Sequence, residues 1–163
     1  MATQTGIPLA TTTLTSNAYS VTFSSISGSY RDLLILLSGS STNYEYVILQ
    51  FNSDTGSNYT FTNMIGDGSG VYGGAATING ARVGRLSTTA NVRGNLQAHI
   101  MDYSSTDKNT TTLARGNSPD EMTMGIASRW ANSAAITSVT VTLYGGTALF
   151  ETGTTISLFG VDA

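Results

Sequence analysis

The sequence predicts an all-β protein, an antiparallel β-sandwich of jelly-roll type with a flexible N-terminal arm, and three observations predict it. Apolar and polar residues alternate with period two in several segments, as half-buried strands require. Gly, Asn, Ser and Asp separate those segments at short spacing, with 18 glycines along 163 residues. No segment carries a convincing apolar stripe at helical period. The best candidate, "NVRGNLQAHIMDY", is interrupted by Gly94, and its Leu96, Ala98 and Ile100 alternate as in a strand. Eight or more strands with almost no helix fit a sandwich or barrel, and the jelly roll has the matching strand count.

Residues 1–17, "MATQTGIPLATTTLTSN", are polar and threonine-rich, with Pro8 near the start. They read as an arm reaching a neighbour or as an edge strand, with strand character at 9–15. In "YSVTFS", Tyr19, Val21 and Phe23 share one face. Leu33 to Leu37 are continuously apolar, which predicts a strand covered on both faces, by the core or by another subunit. In "YEYVILQF" (44–51), Val47, Leu49 and Phe51 take one face and Tyr44, Tyr46 and Ile48 the other. Further strands are expected near 59–64, 95–103, 109–115, 121–130, 139–143 and 154–161. Residues 65–81, "IGDGSGVYGGAATINGA", are Gly-rich with weak periodicity and read as a long surface loop. No repeat or linker divides the chain, so 1–163 is expected to form one domain.

Charged residues make up 10% of the chain against roughly 25% in ordinary soluble domains, so Ser, Thr, Asn and Gly must cover the surface. Such a surface repels its own copies weakly and suits a protein that packs into an assembly or works as an adhesin. The net charge is −3 and Lys108 is the only lysine, which argues against nucleic-acid binding. There is no cysteine, so disulfides and thiolate metal sites are excluded. The first residues lack the pattern of a secretory leader, and "LLILL" is far too short to span a membrane. The sequons at Asn58 and Asn109 are therefore read as accidental.

Asp54-Thr55-Gly56, within "FNSDTGSNYTFTNM", matches the tripeptide of aspartic proteases. Those enzymes need a buried carboxylate pair after an apolar strand, whereas Asn52 and Ser53 precede Asp54. The segment reads instead as a turn, with Asp54 bending the chain through its side chain and Gly56 supplying a positive φ; Asn at position 54 is expected to serve almost as well. A calcium loop from Asn52, Asp54, Ser57 and Asn58 has only one carboxylate. His99 is the only histidine, no G-x-S-x-G elbow occurs, and its strand position suits a structural role. No catalytic residue, cofactor or metal is expected. Tyr44, Tyr46, Tyr59 and Tyr72 are the aromatic candidates for a ligand or interface, by stacking on sugars; Phe61 and Trp130 are expected in the core.

The segments "VTFSSISGSYRDLLILLSG", "FNSDTGSNYTF", "NSAAITSVTVTL" and "ISLFGV" together resemble β-sandwich structural proteins of tailed bacteriophage virions, small capsid decoration or cement proteins and tail-fibre modules. The resemblance covers most of the chain and is weakest over 65–81 and 104–119. It implies a non-enzymatic virion component. The chain length favours a decoration protein on the capsid surface, a homo-oligomer (a trimer by analogy with local threefold sites) bound to the major capsid protein and assembled in the host cytoplasm. A tail-fibre or adhesin module binding host carbohydrate is the alternative.

Overall fold

A computed structural model describes residues 6–162, and its regular structure is entirely β. Its strands are β1 (Ile7–Thr13), β2 (Ser20–Phe23), β3 (Asp32–Gly39), β4 (Tyr46–Phe51), β5 (Tyr59–Gly66) and β6 (Val71–Ile78) in the first half. β7 (Ala81–Arg85), β8 (Gly94–Met101), β9 (Thr110–Ser118), β10 (Met122–Trp130), β11 (Val139–Leu143) and β12 (Thr155–Val161) complete them. They form an eight-stranded sheet, ordered β1-β12-β3-β8-β9-β10-β5-β6, and a four-stranded sheet, ordered β2-β11-β4-β7. Neighbouring strands in both sheets are antiparallel, and the chain is a jelly-roll-like β-sandwich.

Alternation decides which side chains meet between the sheets. The large sheet contributes Leu33, Ile35 and Leu37 of β3, Leu96, Ala98 and Ile100 of β8, and Met124, Ile126 and Trp130 of β10. The small sheet answers with Val21, Phe23, Val47, Leu49, Phe51, Val139, Val141 and Leu143. Each large apolar side chain so buried stabilises the fold by about 1.5–3 kcal/mol. Outward threonines pair across strands, as in Thr13 with Thr155 and Thr22 with Thr140, so the hydroxyl-rich surface is itself hydrogen-bonded.

The structure bears on three expectations. Of the two readings of residues 1–17, the edge strand holds for residues 7–13, which are β1 paired with β12 rather than a flexible arm, with a register shift between Pro8 and Ala10 that accommodates the proline; residues 1–5 lie outside the described residues. Residues 65–81 are not a loop. β5 and β6 pair from Tyr59↔Ile78 to Gly66↔Val71 around a turn in which Asp67 accepts the N–H groups of Ser69 and Gly70. Backbone pairing needs no apolar alternation, and 71–77 are exposed throughout, so period two never registered in the sequence. Finally, the core of this chain covers β3 on one face and not on both: Leu33, Ile35 and Leu37 are buried, whereas Leu36 is 39% exposed on the outer face of the large sheet, the face that another subunit would have to cover.

One local irregularity positions the candidate site. β7 pairs with β4 as Arg85↔Tyr46 and Gly84↔Val47, then Arg82↔Ile48, leaving Val83 as an extra residue. Residues three apart on a regular strand point to opposite faces. The bulge puts Arg82 and Arg85 on the same face, that of Tyr46.

Candidate functional site

The 52–58 segment is a turn, as expected, but its chemistry is richer than a bend. Asp54 Oδ2 accepts the indole N–H of Trp130 at 2.7 Å, Oδ1 accepts the N–H of Gly56 at 2.9 Å, and both oxygens face Asn58 Nδ2 at 3.0–3.1 Å. The Tyr59 hydroxyl donates to the Asp54 carbonyl at 3.1 Å and accepts the Phe51 N–H at 2.9 Å. Burial works to raise the Asp54 pKa, but the bonds from Trp130, Asn58 and Gly56 outweigh it and hold the carboxyl below its ordinary value. N–H donors thus occupy the lone pairs that a cation would need. Among the described residues, no three His, Asp or Glu side chains gather as a metal site would require.

Gly56 is not in the left-handed region. Asn52 (φ 50°) and Ser53 (φ 60°) turn the chain instead. Asn52 holds this conformation with its amide, accepting from Thr137 N at 2.8 Å and Ser138 N at 3.2 Å and donating to Ala135 O at 2.8 Å. What Gly56 supplies is room, since a Cβ there would lie 2.9 Å from Asn58 Nδ2 and 3.2 Å from Asp54 Oδ1. His99 is a tether on the opposite part of the sheet, its Nε2 2.9 Å from Oδ2 of the buried Asp32, which Arg31 also binds.

The four candidate tyrosines part company. Tyr59 is fully buried, stacked 6.2 Å from Trp130 beside Phe51, and is a core residue rather than a ligand platform. It lies on the inward face of β5, where the sheet-to-sheet layer excludes water. Tyr72 is 53% exposed on β6, beside Gly70 at the tip of the β5–β6 hairpin. Tyr44 and Tyr46 meet through arginine.

The Arg85 guanidinium carbon lies 3.5 Å from the Tyr44 ring centre and 4.1 Å from that of Tyr46, and Arg82 lies 3.8 Å from both Tyr46 and Phe61. Contacts therefore run Phe61, Arg82, Tyr46, Arg85, Tyr44, alternating aromatic ring and guanidinium. Burial lowers the Arg82 pKa, and the Arg85 charge adds to this, yet a guanidinium keeps its proton in either case. Burial raises the Tyr44 pKa; Arg85 opposes this while the Glu121 carboxylate reinforces it. The Nε–H groups of Arg82 and Arg85 are buried without an acceptor, and Glu121 Oε2 is buried without a donor. Sequence reading missed Arg82 and Arg85. The available signal was two of only seven basic residues standing three apart in a charge-poor chain.

A second surface lies on the outer face of the large sheet, where a shallow groove of about 580 Å³ is floored by Leu36, Gln97 and Arg115 and edged by Asn95, Asn117, Thr123, Thr155 and Ser157. Arg115 is held by Gln97 Oε1 at 2.8 Å. No helix among the described residues is long and apolar enough to cross a membrane.

No family model matches the chain, and no curated protein matches it. Among solved structures, sucrose-6-phosphate hydrolase from Lactobacillus gasseri aligns with 90% of this chain at 13% identity and a TM-score of 0.38, and the chain spans only 28% of that protein. Alginate lyase Aly36B aligns over 91% of this chain and 78% of its own, at 10% identity and a TM-score of 0.36. Galectin LEC-6 of Caenorhabditis elegans aligns over 100% and 99%, at 9% identity and a TM-score of 0.29. These are distant likenesses, and neither substrate nor partner is carried from them to this chain.

Proposed function

We propose that this chain is a non-enzymatic structural component of a tailed-bacteriophage virion, a capsid decoration or cement protein that binds the major capsid protein as a homo-oligomer, with a trimer favoured. The observation that carries this reading is the outer face of the large sheet. Leu36 and Leu113 stand 39% and 49% exposed there, and the groove beside Leu36 is lined by Thr, Ser, Asn and Gln with Arg115 as its charged residue. Exposed apolar surface rimmed by polar residues suits burial against a neighbouring subunit. Binding to the assembled shell would stabilise it by mass action. The test is the copy number and position of the chain in purified particles, with particle heat resistance compared in its presence and absence. Many copies over the shell and a lower melting temperature without them support the reading; absence from the particle overturns it.

A second reading, a tail-fibre or adhesin module for host surface carbohydrate, is favoured by one observation: the exposed Tyr44 ring seated on Arg85. Tyrosine faces stack on sugar rings, and arginine supplies the directional donors that fix them.

A further inference from the structure

We propose that Arg82 and Arg85 form a site for a carboxylate carried on a sugar ring, an acidic saccharide of the uronate class. This rests on the carbohydrate reading above and adds the charge of the ligand and the residues that recognise it.

The ion pairs among the described residues are Arg31–Asp32, His99–Asp32 and Lys108–Asp102, and none involves Arg82 or Arg85. Arg85 is nevertheless only 7% exposed. A guanidinium withdrawn from water is ordinarily compensated by a carboxylate, because ring faces replace its hydration only in part. The hydrogen-bond partner of Arg85 Nη1 is Met122 Sδ, a weak acceptor at 3.9 Å, and the Nε–H groups of both arginines find no acceptor. Glu121 stands beside Tyr44 rather than in an ion pair with either arginine. Two guanidiniums against one carboxylate leave the cluster net positive.

The arrangement also restricts the shape of the anion. A guanidinium edge matches a planar carboxylate, and the aromatic stack holds these two in fixed planes; with both Nε–H groups buried, the terminal Nη atoms are the ones left to meet it. Beside them Tyr44 is 47% exposed, and Tyr144, whose N–H binds the Tyr46 carbonyl at 2.9 Å, is 44% exposed. An anion on an extended chain would leave those two rings wet; a pyranose lies against them.

The test is a titration of the full-length ¹⁵N-labelled chain with sodium oligogalacturonate, with the neutral galactose oligosaccharide of the same length, and with inorganic phosphate, read on the arginine Nε–Hε resonances. The proposal expects saturable shifts of the Arg82 and Arg85 signals with oligogalacturonate, weakened by salt. The neutral sugar and phosphate should each bind about tenfold or more weakly, and Arg85→Lys, which keeps the charge but loses the fork, should weaken uronate binding about tenfold. Should the lysine variant fold poorly, the wild-type titrations decide alone. Equal affinity for the neutral sugar overturns the acidic assignment and leaves the carbohydrate reading standing. Phosphate binding as tight as uronate reduces the site to a general oxyanion site and overturns the sugar assignment. No shift with either saccharide overturns the proposal and leaves the arginines as packing rungs.

Discussion

Trp130 donates its indole N–H to Oδ2 of Asp54 across 2.7 Å, tying a fully buried ring of β10 to the turn that follows β4. A buried indole needs an acceptor, and this carboxylate is the one it has. Asp54 is thus a structural keystone between the sheets, which revises the expectation that Asn would replace it freely. An amide offers one acceptor and one donor group, so one N–H of the cluster must face another. Asp54→Asn is expected to cost about 1–3 kcal/mol in urea unfolding. An unchanged midpoint would return Asp54 to the role of a simple bend.

The acid limb of stability follows from the same carboxylate. For Asp54 and for the buried Asp32, desolvation raises the pKa but hydrogen bonds outweigh it: from Trp130, Asn58 and Gly56 in the first case, and from Arg31, the Asp102 N–H and His99 in the second. Both folded-state values lie below the unfolded ones. Their contribution is therefore fully present above the ordinary Asp pKa of about 4 and is lost as pH falls through the depressed values. Melting temperatures should fall below about pH 4, and the fall should be shallower in Asp54→Asn. A wild-type profile that stays flat on acidification would contradict this.

Asn52, rather than Gly56, sets the shape of the turn. Asn52→Ala removes four hydrogen bonds of the side-chain amide and keeps a Cβ at φ 50°, with an expected cost of about 2–4 kcal/mol. Asn52→Gly relieves the backbone and should cost less. Gly56→Ala meets the far end of the Asn58 side chain, which can move, and should cost about 1 kcal/mol or less. Chemical denaturation of the three variants gives the order directly, and Gly56→Ala as the worst of them would refute it.

β6 is an edge strand with neither charge nor proline, exposed from Val71 to Thr77. Edges of this kind pair with other chains unless blocked. If copies associate through β6, Ala75→Lys should lower the association seen by sedimentation while shifting unfolding by no more than about 0.5 kcal/mol. Unaltered association in that variant would place the contact elsewhere, with the outer face around Leu36 the next surface to alter.

Period-two patterning at Val21 and Phe23, at Val47, Leu49 and Phe51, and at Val139, Val141 and Leu143 determined by itself that the chain is all-β, and it identified much of the core, because a half-buried strand writes its inward face into alternate residues. It also marked Asp54 as a turn residue, since Asp and Gly punctuate strands by local chemistry. β6 left no such trace, being exposed on both faces. The inward placement of Tyr59, and its separation from Tyr44 and Tyr46, depended on how the sheets stack, which spacing along one strand does not encode. Above all, Arg82 and Arg85 stand three apart and would point to opposite sides of any regular strand. Only the bulge at Val83, set by the pairing of β7 with β4, turned both onto the face of Tyr46 and assembled the aromatic and guanidinium stack.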